Sequence, residues 1–287
     1  MIKIMICCHK ATSLPDDDLY LPIQVNSELS KFSLNMEHDN KCLGDKCQNI
    51  SNLNSIYCEM TAAYWAWKNI RSIYPNLDYV GLCHYRRFFS DIEADKIPKR
   101  LFYQRIKAFI KKCIGKRQCY VYDNALCIDS IEVLKSLKVE SKLTELIRNS
   151  DIVCTEEVVI FNGNVYDFFS QIGKEYLDDL LYIVKSQAPE YYKSLCAVLY
   201  GNEIIPANMV VMKMRIFDKY CDFVFRILGA HISMTKKRWT NGNPIDDARY
   251  SRVSGYLAEI LTCTFINEHL NDYKVRRVKR IFIKQTG

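Results

Sequence analysis

The sequence predicts an α/β fold with a mainly parallel central sheet flanked by helices. Three observations carry this. Ile2–Cys8 is a nearly continuous apolar run, the pattern of a strand buried on both faces. Ser55–Ile73 is apolar at helical spacing and leads, past Pro75, into the short apolar run Tyr79–Cys83. Further along, helical and strand-like stretches keep alternating, which favours one α/β domain over residues 1–287.

The first strand opens into His9-Lys10-Ala11-Thr12. In open α/β sheets, ligands sit beyond the carboxyl ends of strands, so His9 and Lys10 are candidates for holding a nucleotide. No Gly-rich phosphate loop accompanies them. Asp16-Asp17-Asp18 reads as a solvated loop or as a cation site. Residues 26–55 form a long polar loop with a turn signal at Leu43-Gly44-Asp45. That loop feeds the helix, on which Ile56, Met60, Ala63, Tyr64, Trp67 and Ile70 recur at helical spacing. Trp65 and Trp67 point about 200° apart there, so one faces the core and the other lines a cleft. The strand Tyr79–Cys83 then ends in His84-Tyr85-Arg86-Arg87. This cationic cluster at a second strand end suits a diphosphate.

Lys96–Arg117 is basic and amphipathic, either a solvated helix packed on the core or a membrane-surface helix. Val133–Arg148 reads as a helix and Asp151–Cys154 as a strand. Glu156 and Glu157 follow that strand and can reach a site at its end. Tyr166–Lys185 reads as one helix with Asp178 and Asp179 exposed. A strand over Met209–Met212 precedes a strongly apolar core helix, Ile216–Leu228. Trp239–Pro244 reads as a loop, and Tyr250–Leu270 as a helix carrying Arg252 and Glu259. Residues 271–287 read as a basic tail, with Lys274, Arg276, Arg277, Lys279 and Arg280 either solvated or against anionic lipid.

Composition bounds the function loosely. A chain of 287 residues, 49% hydrophobic and 25% charged, is an ordinary globular mix. The formal net charge of +7 permits anionic partners without choosing among them. A nucleic-acid partner is not expected: no recognition motif is present, and the one basic stripe is Lys96–Arg117. The 13 cysteines are odd in number and form no C-x-x-C pair, so reduced thiols are expected rather than disulfides or zinc. Met1–Cys8 is too short for a signal-peptide core, and no apolar run approaches about 18 residues. The expected location is the cytoplasm, with peripheral contact at the inner face of the plasma membrane.

The motifs Gly44-Asp45, Asn49-Ile50-Ser51, Asn54, Tyr57-Cys58-Glu59 and Tyr64-Trp65-x-Trp67-Lys68-Asn69 run into Gly81-Leu82-Cys83-His84-Tyr85-Arg86-Arg87-Phe88. Together they closely resemble bacterial proteins grouped as domain of unknown function 4422, found among capsular polysaccharide and lipopolysaccharide glycosyltransferases. Asn208-Met209 through Met212-Lys213, Phe217–Cys221 and Arg252-x-x-Gly255-Tyr256-Leu257-Ala258-Glu259 are similar too. Residues 91–205 match poorly, and Ile260 stands where the family usually has an arginine.

The resemblance implies a glycosyltransferase of the GT-A kind, taking a sugar from a nucleotide sugar to a growing lipid-linked polysaccharide. The donor implied is a uridine-diphosphate sugar, and some relatives are associated with galactofuranose. It divides the chain into a donor-side half (about 1–90), an acceptor-side half (about 91–270) and the tail. Many GT-A enzymes bind a divalent metal at an Asp-x-Asp motif. Here Cys83-His84-Tyr85-Arg86 occupies the equivalent place. No metal site is therefore assigned, manganese or magnesium stays open, and Arg86 and Arg87, with His84, are expected to carry the leaving diphosphate. Glu259, Glu59 and Glu157 are candidates for the base that takes the acceptor proton. On the donor side the resemblance implies roles for Gly44, Asn49, Asn54, Tyr57, Glu59 and Trp65; Asn208 and Glu157 are implied on the acceptor side. The competing reading is a non-catalytic nucleotide- or glycan-binding protein of the same assembly machinery.

Overall fold

The computed structural model describes residues 1–41, 48–93, 119–136, 139–239 and 247–284. Gly44, the basic stretch Lys96–Arg117 and most of the loop Trp239–Pro244 lie outside the described residues.

In chain order the chain forms β1 (Ile2–Cys8), β2 (Tyr20–Gln24), β3 (Glu37–His38), α1 (Asn54–Tyr57), α2 (Met60–Ile73), β4 (Tyr79–His84) and β5 (Arg87–Glu93). Then come β6 (Tyr120–Tyr122), β7 (Leu126–Ile128), α3 (Ile131–Ser136), α4 (Val139–Arg148), β8 (Ile152–Thr155) and β9 (Val158–Phe161). Next are α5 (Val165–Phe169), α6 (Lys174–Gln187), α7 (Tyr192–Tyr200), β10 (Glu203–Ile204) and β11 (Val210–Lys213). The chain closes with α8 (Met214–Arg238), α9 (Val253–Glu268) and β12 (Val275–Ile283).

The large sheet runs β11-β8-β12-β5-β4-β1-β2-β3, with β7 beside β12 and a further pairing of β11 with β4. Its β4-β1-β2-β3 side is parallel, as expected. The other side is mixed: β11 is antiparallel to β4 and β8, and β12 is antiparallel to β5 but parallel to β8. A small antiparallel sheet, β10-β9-β6, stands apart. Alternate residues of β1 feed two cores. Met5 and Cys7 join the larger one, with Ile70, Leu180, Leu228 and Leu261; Ile4, Ile6 and Cys8 join the other, with Phe88, Phe89 and Leu143. The described cysteines are free thiols. No helix among the described residues is long and apolar enough to cross a membrane.

Residues 275–283 are not a tail. They form β12, inserted between β5 and β8 inside the sheet. Val278 and Ile281 are buried, and so is Arg280, at 1% exposure. The five cations of 274–280 hide an alternating strand pattern, because a cation with an internal partner is as acceptable to a strand as an apolar residue. Arg277 donates to Glu157 at 2.5 Å. Arg280 is therefore inaccessible to a lipid headgroup, whereas Lys274 is exposed.

The helices are more broken than periodicity predicts. The opening helix stops at Cys58, whose φ of 51° and ψ of −133° no helix accepts, and resumes at Met60. The stretch 166–185 breaks at Gly173, where φ is 126°. Asp179 is buried against Arg238 rather than exposed. Asp17 accepts from the Leu19 amide at 2.7 Å, so part of the Asp16–Asp18 run shapes the turn into β2.

One residue with no sequence signal organises the long polar loop. Asp39 is fully buried. Its carboxylate accepts from the Asn26 and Ser27 amides (3.1 and 3.0 Å) and the Ser51 and Thr61 hydroxyls (2.5 and 2.7 Å). Several donors satisfy the buried charge, which clamps the loop to α2.

Candidate active site

β4 runs beside β11 only as far as Leu82. Beyond that it meets β5 at a single pair, His84 opposite Arg87, with Tyr85 and Arg86 at the turn. The sheet forks here. The segment Pro206–Asn208 packs against the fork, and Ala207 and Asn208 both adopt left-handed backbone (φ 62° and 52°). Cys58 and Arg252 are also at positive φ, so four of the six non-glycine residues in that state among the described residues meet at one place. Each such residue costs on the order of 1–3 kcal/mol and persists only where the surroundings enforce it.

The enforcing contacts form a chain. The Ala207 carbonyl accepts from His84 Nε2 at 2.8 Å, so that nitrogen carries the proton. Asn208, fully buried, donates from Nδ2 to Glu59 Oε1 at 2.9 Å, and its Oδ1 accepts from Thr262 at 3.0 Å. The Tyr220 hydroxyl backs Thr262 at 2.9 Å. Asn54 donates to the Cys58 carbonyl at 2.7 Å, and the Arg252 amide donates to the Ser55 carbonyl at 2.8 Å. Gly255 lets α9 approach this corner: a Cβ there would stand 2.9 Å from Cys58 Sγ.

Two cavities meet at this constellation. One, about 520 Å³, is cationic and takes in His9, Asn54, Arg86 and Ser251. The other, about 350 Å³, takes in Glu259, Arg280, Asp123 and the ring-bearing wall Phe168, Phe169 and Tyr256. Cys58, Glu59, His84, Arg87 and Arg252 line both.

Electrostatics divide the roles. Burial, then the Glu59 carboxylate, pushes the Glu259 pKa up to about 8; the Ala207 backbone, Arg87 and Arg252 work against this. A carboxyl group held there is largely protonated at about pH 7 and becomes a proton acceptor as the pH rises toward about 8. Burial lowers the His84 pKa despite Glu59 at 3.9 Å. His84 is thus a neutral imidazole held by Ala207, not a third cation, which corrects the expected charge role. Burial, then the Arg280 and Arg86 guanidiniums, lowers the Arg87 pKa. His9 is likewise lowered, first by burial and then by Lys10 and Arg86, and its ring stands edge-on to Tyr85. Lys10 lies over the other partner of that pair, 5.6 Å from the Tyr85 ring centre.

Other expected site residues lie elsewhere. Trp65 is fully buried, its Nε1 donating to the Lys41 carbonyl at 2.8 Å, and so it is core. Trp67 is the partly exposed tryptophan, stacked on Phe225. Tyr57 is buried beside the same Phe225. Asn49 accepts from the Ser51 amide at 3.1 Å and shapes the loop. Asn208 has no exposed surface for an acceptor and instead positions Glu59. Glu157 pairs with Arg277 in a separate cleft lined by Cys263 and Asn202. Sequence reasoning missed Arg280, Asp123, Phe168 and Phe169. Only the alternation in Val275–Ile283 pointed to the first.

Among the described residues, no group of three His, Cys, Asp or Glu side chains converges as a metal cage requires. Glu59 is held by Asn208, and Glu259 and Asp123 line the same cavity as the guanidiniums of Arg87, Arg252 and Arg280. No step is routed through a metal.

Across residues 3–271 the chain matches the sequence pattern of one family, described as Domain of unknown function (DUF4422). It belongs to that family. The DUF4422 chain also shares its fold with a solved structure described as WbbM bifunctional glycosyltransferase in the apo state, with a TM-score of 0.74 at 24% identity. The match covers 99% of this chain and 45% of that one, so the chain spans under half the length of that protein. No curated protein matches this DUF4422 chain.

Proposed function

We propose that this chain is a glycosyltransferase that moves a sugar from a uridine-diphosphate donor to a glycan acceptor in surface polysaccharide synthesis. The observation that carries the reading is the Glu259 carboxyl, raised to about 8, lining one cavity with Arg87, which also lines the adjoining cavity with Arg86. An inverting transfer needs both features together: a base for the acceptor proton and fixed cations for the leaving diphosphate.

A single displacement fits them. The acceptor hydroxyl oxygen attacks the anomeric carbon and its proton passes to Glu259. The bond from that carbon to the diphosphate oxygen breaks, and its electron pair leaves with the diphosphate. Arg86 and Arg87 offset the charge that builds there, through forked hydrogen bonds. His9, Lys10 and Asn54 hold the nucleotide end. Glu59, fixed by Asn208, raises the basicity of Glu259 and can accept from a donor hydroxyl. The wall of Phe168, Phe169 and Tyr256 suits the apolar face of an acceptor sugar.

A thermal-shift panel of nucleotide sugars, with and without EDTA, tests the donor side, because native-state binding raises apparent stability. A shift with uridine-diphosphate sugars that survives EDTA is expected. No shift with any nucleotide sugar would overturn the reading. Binding with neither donor hydrolysis nor transfer would leave a nucleotide-binding protein instead.

A further inference from the structure

Arg280 is the most buried charged side chain of the candidate site, at 1% exposure. Its Nη2 donates to the half-exposed Asp123, on the segment joining β6 to β7. Among the described residues its Nη1 has no hydrogen-bond partner. The guanidinium lines the same cavity as Arg87. Strand register explains why. Arg280 lies opposite Phe89 and Phe282 opposite Arg87, so Arg87 and Arg280 are diagonal neighbours on one face of the β5–β12 pair.

Two guanidiniums facing one cavity repel each other unless an anion joins them. Asp123 supplies half of that anion: one carboxylate, on one guanidinium, from a short exposed segment. Glu156 accepts from Asn124 at 3.4 Å. A diphosphate carries more charge and more acceptor oxygens than Asp123, and can bridge Arg87 and Arg280 in the fork geometry guanidinium favours.

We propose that Arg280 is a further diphosphate-binding residue, and that Asp123 is an internal stand-in for a phosphate oxygen, displaced when the donor binds. The inference rests on the nucleotide-sugar reading and adds to it a built-in competitor. In the empty site Asp123 is the paired counter-charge of Arg280, and donor binding exchanges one anion for another. A donor bound without its diphosphate gains nothing from this exchange.

Isothermal titration of the full chain with UDP, uridine and farnesyl diphosphate tests it. For Asp123→Asn, the Kd for UDP is expected to fall about fivefold or more, because a competing internal ligand is gone. For Arg280→Lys, which keeps the charge but loses the fork, it is expected to rise about tenfold. Uridine affinity should not change in either variant. An unchanged or weakened UDP affinity in Asp123→Asn would overturn the inference, even if Arg280→Lys fails to fold. A response confined to farnesyl diphosphate would overturn it too, since the diphosphate would then be that of a lipid-linked acceptor. Failure of the wild-type chain to bind UDP at all is a different result: it overturns the nucleotide-sugar reading, and this inference with it.

Discussion

The two cavities that meet at Glu59 and Arg87 are built by different means. The cationic one draws most of its charge from a single stretch, residues 54–87, where helix, strand and turn follow one another. The other takes side chains from β4, β5, the β6–β7 segment, α5, α9 and β12. The first can bind an anion with partly exposed, locally supplied cations. The second must hold a carboxyl group dry enough to shift its pKa, and dryness comes only from closing distant segments over it. Binding charge is largely a local property of the chain, with Arg280 the tertiary addition, whereas the proton transfer proposed for Glu259 is wholly a tertiary one.

Breaking the second cavity should give the largest effect. Glu259→Gln is expected to lower kcat by about 10²–10⁴-fold while donor affinity stays within about twofold. Steady-state kinetics beside UDP titration would check this. A matched loss of binding would mean that the two cavities are not divided in function.

Breaking the first should hit binding and turnover together. Arg87→Ala and Arg86→Ala are expected to weaken UDP binding and kcat/KM in parallel, Arg87 by about a hundredfold and Arg86 by about tenfold. Arg87 is the larger because it lines both cavities. Variants that keep both affinity and turnover would make the cationic turn structural.

Asn208→Ala sharpens the boundary between them. It leaves Glu59 and Thr262 without their shared partner, which costs about 1–3 kcal/mol of stability by denaturant unfolding. Asn208 touches no substrate in this reading, so its kinetic effect should be about tenfold on kcat with little change in KM, and the pH profile should shift as Glu59 moves.

The pH dependence gives the smallest signal. Glu259 is raised in the folded state from 4.5 to about 8. The stability linked to it is therefore full below about pH 4.5 and is lost as pH rises through about 8. Two outcomes follow. kcat/KM should rise through about pH 8 as the carboxylate forms, and Glu259→Gln should melt a few degrees above wild type at pH 9 but not at pH 4.5. Equal melting temperatures at both pH values would show that Glu259 titrates normally.

What the residues disclosed in advance follows the same division. β1, β4 and α2 were legible because apolar periodicity over six to fourteen residues is a local signal. The cationic turn was legible because strand ends are where α/β sheets bind ligands. Trp65 and Trp67 were legible as a divided pair, but not which one faces inward; only packing on Lys41 and Phe225 decides that.

By itself the sequence determined the parallel half of the sheet, the opening helix and the arginine turn, and it left Glu259, Glu59 and Glu157 as three open candidates for the base. Tertiary structure alone decided the rest. It turned a basic tail into the buried strand Val275–Ile283, made Asn208 a brace rather than a ligand contact, and sent Glu157 to another cleft. It also made His84 neutral and Glu259 basic. The physical reason is common to all of these. Charge and polarity are written in the chain, but their meaning depends on desolvation and on partners far away in sequence, and both exist only after folding.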